Sequence, residues 1–196
     1  LLGDPLDAKM FEFTKWNFEE NYVSNSGATF QRVYPNAGND GFITLKEYEF
    51  IAALRRMSVL VKEANAFQNE EYSVFTKGAP EVMSEICDKE SLPTDYDQIL
   101  HHYTHNGFRV IACAYKNLKK KDISIKSLPG REDIEKDLTF AGFIIFENKL
   151  KSSTKATLDT LNKAKIRTVM CTGDNILTAI SVSKECNLVD QDTKIY

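Results

Sequence analysis

The spacing of apolar and polar residues predicts a chain that begins with a short helix and continues as strands. Asp4 suits the N-cap of that helix and Pro5 its first turn. A loop rich in turn-forming residues at 35–41 lies between β-prone segments. Two further runs of β-branched and aromatic residues, 49–61 and 72–76, predict a hairpin.

Helices and strands follow one another in the next part of the chain. Gly78-Ala79-Pro80-Glu81 predicts the start of a helix directly after a strand that ends at Lys77. A polar helix is predicted for 95–105, a compact apolar strand for 109–115 and a further strand for 138–146. The residues between these last two strands are charged and predicted to form a loop.

The pattern changes after residue 147 to one that is typical of α/β proteins. It predicts a helix at 153–164, a buried strand at 167–171, a turn at 172–175 and a helix at 176–186. We therefore predict one domain at 1–147 and a partial α/β segment at 148–196.

Composition narrows the classes of function. The net charge of -3 gives no basic surface for nucleic acid, and the longest apolar runs are far shorter than the roughly 20 residues of a membrane span. The four cysteines are scattered without a C-x-x-C pair, which favours reduced thiols over a zinc site or a disulfide framework. The chain begins without an initiator methionine, so we expect it to be a piece of a larger protein.

Two segments suggest anion or nucleotide chemistry. Thr172-Gly173-Asp174 is predicted to lie between the end of a strand and the start of a helix, where a hydroxyl and free backbone N–H groups suit a phosphate. Asp174 is equally suited to be an ordinary helix cap. Lys77 precedes Gly78 and a helix start, where an anion is favoured, although solvated lysines are common at strand ends.

Other candidates are weaker on the residues alone. Phe50, Arg55 and Met57 are predicted near the strand that ends at Lys77 and would suit an adenine, but Phe50 and Met57 also suit a core. No glycine-rich phosphate loop is present in the sequence. The histidines at 101, 102 and 105 are better explained by an exposed helix face than by a metal site.

Five motifs in order along the chain resemble the P-type ATPases. The two most specific are the Lys-Gly-Ala-Pro-Glu and Thr-Gly-Asp-Asn strings. The five are Gly3-Asp4-Pro5-Leu6-Asp7, Phe50 with Arg56-Met57-Ser58-Val59, Thr76 to Glu81, Gly107-Phe108-Arg109-Val110 and Thr168 to Asn175. The resemblance implies an α+β fold, an antiparallel β-sheet flanked by helices, followed by a partial Rossmann-like segment of the haloacid dehalogenase type.

The resemblance also implies a role for each matching residue. Phe50 would stack on adenine, Lys77 would lie at the bottom of the nucleotide pocket, and Arg109 would reach the phosphates. Asp7 and its acidic neighbour Asp4 match positions near the adenine. The remaining pocket residues of the match are Arg55, where many relatives carry lysine, Met57 and Gly78.

Thr172, Gly173 and Asp174 match a phosphorylation-domain loop that contacts the terminal phosphate and helps to align it with Mg²⁺. The nucleophilic aspartate of the family's Asp-Lys-Thr-Gly-Thr motif does not occur in this sequence. We therefore expect the chain to bind ATP with Mg²⁺ but to be inactive alone. Its expected partners are the actuator, complete phosphorylation and transmembrane domains of a parent pump, with no nucleic acid and no membrane insertion by this segment.

The residues within these motifs are similar to those of the type V pumps, particularly the B branch associated with polyamine export from late endosomes and lysosomes. Glu147-Asn148-Lys149 replaces the proline-rich hinge found in most other classes. The expected location is the cytosolic face of an endosomal or lysosomal membrane. Two alternatives stay open: a phosphatase or phosphotransferase of the haloacid dehalogenase type, and a regulatory domain with an inactive nucleotide pocket.

Overall fold

The computed structural model describes residues 4–24, 27–37, 41–64, 71–120, 123, 127–147, 149–173 and 176–194. The strands are β1 (Asn17–Val23), β2 (Thr29–Tyr34), β3 (Phe42–Ile51), β4 (Arg56–Glu63), β5 (Tyr72–Gly78), β6 (Arg109–Leu118) and β7 (Thr139–Phe146). The helices are α1 (Pro5–Thr14), α2 (Pro80–Ile86), α3 (Tyr96–His105), α4 (Arg131–Ile134), α5 (Thr154–Lys163) and α6 (Ile176–Glu185). None of the described helices is both long and apolar enough to span a bilayer.

The seven strands form one sheet in sequence order, from β1 to β7. The pairs from β1 to β5 run antiparallel, and β4 and β5 form the predicted hairpin. This confirms the predicted antiparallel sheet flanked by helices. The predicted first helix is also confirmed, because the Asp4 side chain accepts a hydrogen bond from the Leu6 N–H and caps α1.

The β segment predicted at 49–61 is interrupted by a turn. Residues 52–55 leave the sheet, and the Arg55 N–H donates to the Ile51 carbonyl at 2.8 Å. Arg55 closes the turn in the left-handed region with φ at 47°. No glycine, proline, asparagine or aspartate marks this turn, which is why composition alone predicted continuous strand.

The chain divides into two compact units, and the first contains Leu1–Ser91 and Cys113–Ala141. One face of its sheet carries the core. The cluster consists of Tyr48, Leu60, Tyr72, Val74, Ile123 and Ile134. Ile123 and Ile134 come from the segment predicted as a charged loop, so this segment contributes apolar side chains to the core as well as the short helix α4.

The second unit contains Leu92–Ala112 and Gly142–Tyr196. Within it α3 packs against α6, and Gly107, with φ at +83°, approaches Ser181 so closely that a Cβ there would lie 2.6 Å from its Oγ. The helices predicted on either side of 167–171 form, but these residues are not a strand and Val169 is 75% exposed. The prediction of a buried strand here is wrong, because no described strand pairs with the segment. The predicted domain boundary at 147 stays a prediction.

Candidate functional site

A β-bulge brings Phe50 into line with Met57 and Lys77. The register between β3 and β4 shifts between Tyr48 and Ile51, so two residues of β3, one of them Phe50, lie across from Met57. Met57 is in turn paired with Lys77 on β5. Phe50 is 60% exposed. An accessible aromatic ring, a thioether and an ammonium group therefore occupy one row across three neighbouring strands.

The ammonium group of Lys77 has a charged partner. It forms an ion pair and hydrogen bond with the carboxylate of Asp7, which lies in the first turn of α1. The Lys77 side chain is 24% exposed and that of Asp7 42%. Burial raises the pKa of the Cys113 thiol on β6, while the positive charge of Lys77 opposes this rise. The positive charge of Lys77 thus acts on Asp7 of α1 and on Cys113, in the part of β6 that belongs to the first unit.

Gly78 allows the end of β5 to run close to the β3–β4 turn. A Cβ at this position would lie 2.7 Å from the Arg56 Cβ and 2.8 Å from the Arg55 carbonyl oxygen. The Ala79 N–H donates to that carbonyl at 3.0 Å. Arg55 also lies 3.7 Å from the Glu81 carboxylate, in a half-exposed pair that contributes little stability. The turn and the start of α2 are therefore joined mainly by backbone contacts.

A buried carboxylate lies on the other side of the sheet from this row. The Glu135 side chain has no exposed surface, and its oxygens accept hydrogen bonds from Arg56 Nε at 2.6 Å, Ser58 Oγ at 2.6 Å and Arg131 Nη1 at 2.8 Å. The Ser58 hydroxyl also pairs with the Thr76 hydroxyl at 2.9 Å. Both Glu135 oxygens and both hydroxyls thus have hydrogen-bond partners, as buried polar groups require.

Glu135 was not among the residues predicted from the sequence. It falls in the segment predicted as a charged loop, where a single glutamate gives no signal. The sequence of β4 did contain a signal, because Arg56 and Ser58 lie on the same face of the strand as the buried Leu60. Polar residues at inward positions of a strand call for a buried partner.

The other predicted site residues are more dispersed. Asp4 is exposed and caps α1, and Arg109 begins β6 with an exposed side chain in the second unit. Thr172 and Gly173 are exposed and precede α6, whereas Asp174 lies outside the described residues. The structure therefore groups six of the predicted residues in its first unit. They are Asp7, Phe50, Met57 and Lys77, together with Arg55 and Gly78, which approach each other closely.

No metal centre is formed by the described part of the chain, in which no three His, Cys, Asp or Glu side chains are grouped as metal ligands. The His101 and His105 rings stack with centroids 5.6 Å apart, one turn apart on α3. Both side chains are exposed, in agreement with the exposed helix face favoured by the sequence.

Comparison with known proteins identifies the family of the chain. Residues 39–153 match the family model described as P-type ATPase, cytoplasmic domain N. The chain is 46% identical over 225 residues to the vacuolar cation-transporting ATPase YPK9 of Saccharomyces cerevisiae, covering 100% of this chain and 15% of that protein.

Two further relatives come from mammals. The probable cation-transporting ATPase 13A5 of Homo sapiens is 40% identical over 201 residues, covering 98% of this chain and 16% of that protein. The polyamine-transporting ATPase 13A3 of Mus musculus is 38% identical over 221 residues, covering 100% of this chain and 18% of that protein. The predicted resemblance to the type V class is confirmed by these relatives. Because the family model spans more than half of the residues, the chain belongs to the P-type ATPases and contains their cytoplasmic domain N.

Proposed function

We propose that this chain binds Mg·ATP as the nucleotide-binding domain of a P-type transport ATPase. The observation that carries the proposal is the row formed by Phe50, Met57 and Lys77 across β3, β4 and β5. The row combines an exposed aromatic face with a nearby cation, which are the two features that a purine nucleotide needs. Aromatic side chains bind any base by stacking, and a lysine supplies a point charge for an anion.

The residues of the row suit the base and an anionic group of the nucleotide better than they suit the metal ion. Phe50 would stack on the adenine, with Met57 beside it and Lys77 at the floor of the pocket. Asp7 would lie near the base and, without nucleotide, neutralises the partly buried lysine. We assign no described residue to Mg²⁺, which would arrive with the phosphates of the nucleotide.

The phosphate side of the site is a separate part of the proposal. Arg109 would reach the phosphates, and Thr172, Gly173 and Asp174 would contact the terminal phosphate when the domains of the pump meet. ATP would then phosphorylate an aspartate elsewhere in the parent chain. Because the sequence contains no Asp-Lys-Thr-Gly-Thr motif, the segment alone would not hydrolyse ATP.

The relatives support a transport role for the parent protein. They are named as cation- or polyamine-transporting ATPases, and this chain spans between 15% and 18% of the length of the three described above. We propose a type V pump, of the B branch, that moves polyamines or other cations. The name of the yeast relative, a vacuolar ATPase, supports an endosomal or lysosomal membrane with this domain on the cytosolic face.

Substitution of the two outer members of the row tests the proposal. Phe50→Ala should weaken ATP binding about fivefold or more, since stacking of one base contributes about 1–3 kcal/mol. Lys77→Ala should also weaken binding, because the floor of the pocket loses the point charge that attracts the anionic nucleotide. Isothermal titration calorimetry with Mg·ATP measures both effects.

Matched controls separate loss of the site from loss of an exposed side chain. Phe13→Ala removes an aromatic ring from α1 that is 87% exposed, and Lys155→Ala removes an exposed lysine from α5. Both should bind ATP as the unaltered chain does. Equal affinities of Phe50→Ala and Phe13→Ala would contradict the proposed adenine site.

A further inference from the structure

The polar cluster around Glu135 links the three strands that carry the Phe50, Met57 and Lys77 row. It reaches β4 through Arg56 and Ser58, since both donate to the Glu135 carboxylate. It reaches β5 through the hydroxyl pair of Ser58 and Thr76, and Thr76 immediately precedes Lys77. Because side chains alternate along a strand, these polar groups lie on the opposite face from Met57 and Lys77.

Arg131 extends the cluster to β3 at the bulge itself. Its Nη1 donates to Glu135 at 2.8 Å, while its Nη2 donates to the backbone carbonyl of Glu49 at 2.5 Å. Glu49 is the residue before Phe50. The Arg131 guanidinium also lies 5.9 Å from the centre of the Tyr48 ring, at the other border of the bulge. The planar guanidinium of Arg131 thus connects the Glu135 carboxylate to the backbone directly before Phe50.

A bulge needs such a support if its position matters for function. The extra residue of a bulge is left outside the regular ladder, so its carbonyl requires another partner. A slip of one residue in β3 would move each side chain of the strand to the opposite face of the sheet. The hydrogen bond from Arg131 to Glu49 opposes that slip at the second of the two places where the β3–β4 register changes, between Tyr48 and Ile51.

We propose that Arg131 and Glu135 are positioning residues, which hold the β3 bulge so that the Phe50 ring is presented to a purine nucleotide. The inference rests on the proposed function, because it assigns these residues to the same site. Arg131 acts through the Glu49 carbonyl and has no contact with nucleotide. Glu135 orients Arg131 and fixes β4 to the same point.

A double-mutant cycle between Arg131→Met and Phe50→Ala tests the inference. Arg131→Met should fold, because Arg56 and Ser58 still pair with Glu135. Alone, it should weaken Mg·ATP binding about fivefold, by reducing the stacking that Phe50 supplies. In the Phe50→Ala background the same substitution should cost no further affinity, because the ring that it positions is absent.

Lys46→Met is the matched control. Lys46 lies on β3 and donates to the Pro129 carbonyl at 3.1 Å, so it joins the same strand to the same segment without touching Glu135 or Glu49. It should bind ATP as the unaltered chain does. If Arg131→Met does not fold, Arg131→Lys takes its place, because lysine keeps the charge beside Glu135 but lacks the fork that reaches Glu49.

Three results would overturn the inference. Unchanged ATP affinity in Arg131→Met, with reduced affinity in Phe50→Ala, would refute it and leave the proposed function intact. An equal loss for Arg131→Met in both backgrounds would show a general structural effect and no positioning of Phe50. Equal ATP affinities of the unaltered chain and Phe50→Ala would overturn the proposed function and this inference together.

Discussion

At the scale of single residues, the side chain that we expect to matter most for stability is Glu135, which lies on the opposite face of the sheet from the proposed nucleotide site. Glu135 is completely buried, and its charge is matched by Arg56, Arg131 and the Ser58 hydroxyl. Two partly buried arginines would be left without their carboxylate if this side chain were removed. Removal of one partner of a buried ion pair lowers stability, because the remaining charge is poorly solvated.

Glu135→Ala should therefore lower the free energy of unfolding by about 3 kcal/mol, as measured by urea denaturation. Glu147→Ala is the control, since its side chain is 61% exposed and lies 3.9 Å from Lys149. That control should change stability by less than about 0.5 kcal/mol. A similarly small loss for Glu135→Ala would contradict the account of the buried cluster.

The sequence singled out the three residues of the row but not Glu135 of the buried cluster on the other face of the sheet. Phe50, Met57 and Lys77 lie in motifs close to a strand and a helix start, where local patterns are informative. The partner of Lys77 depends on a contact between α1 and β5, 70 residues apart. Glu135 depends on how the segment before β7 folds over the sheet, which no local pattern shows.

At the scale of elements, the end of α2 is joined to the chain just before β7. Cys87 forms an isolated parallel bridge with Leu138, and the Asp88 N–H donates to the Leu138 carbonyl at 2.8 Å. Burial raises the pKa of the Cys87 thiol from its ordinary value of 9.0 to about 11, with Lys89 opposing the rise. This junction is therefore sensitive to high pH.

The direction of the effect follows from proton binding. Above pH 9 an unfolded Cys87 loses its proton while the folded one keeps it, so stability falls as the pH rises towards 11. Between about pH 8 and about pH 10 the unaltered chain should lose about 1 kcal/mol more than Cys87→Ala. Urea denaturation at both pH values measures the difference.

Cys171→Ala serves as the control for this pH dependence, because Cys171 is exposed. It should show the same fall in stability as the unaltered chain. An identical fall in Cys87→Ala would show that the buried thiol does not contribute.

The sequence predicted long elements well and their interruptions poorly. Helices α3, α5 and α6 and the hairpin of β4 and β5 appear near their predicted places. No strand was predicted at the place where β1 forms, Asn17–Val23. The turn at 52–55 and the irregular segment 167–171 were both assigned to strands, because apolar content indicates burial without showing whether a neighbouring strand pairs.

At the scale of the whole molecule, the two compact units are each assembled from separate stretches of the chain. In the second unit α3 comes from residues before 147 and its partner α6 from residues after it. A domain that ends at 147, as the sequence predicts, would leave α3 without this helix. The boundary can therefore be tested by truncation.

A chain cut after residue 147 should keep its sheet but melt at least about 4 °C below the full chain, because it loses the packing of α3 on α6. Circular dichroism followed through thermal unfolding measures both the sheet content and the melting temperature. Equal melting temperatures would instead support residues 1–147 as an independent domain.

The family was predictable from the order and spacing of its motifs, and the comparison with known proteins confirmed it. The Thr172-Gly173-Asp174 motif contributed to that prediction, although its expected strand does not form in this structure. The order of the motifs is a property of the sequence, so it identifies the family whether or not each motif forms its expected local structure.

The central claim is that Phe50, Met57 and Lys77 form the ATP site, and amide chemical shifts of the ¹⁵N-labelled chain during a Mg·ATP titration test it most directly. We predict that the largest shifts occur at these three residues and their neighbours in β3, β4 and β5. The claim would be contradicted if those amides stayed unchanged while shifts clustered elsewhere, for example around the cavity of about 340 Å³ beside Gly107 and Ser181.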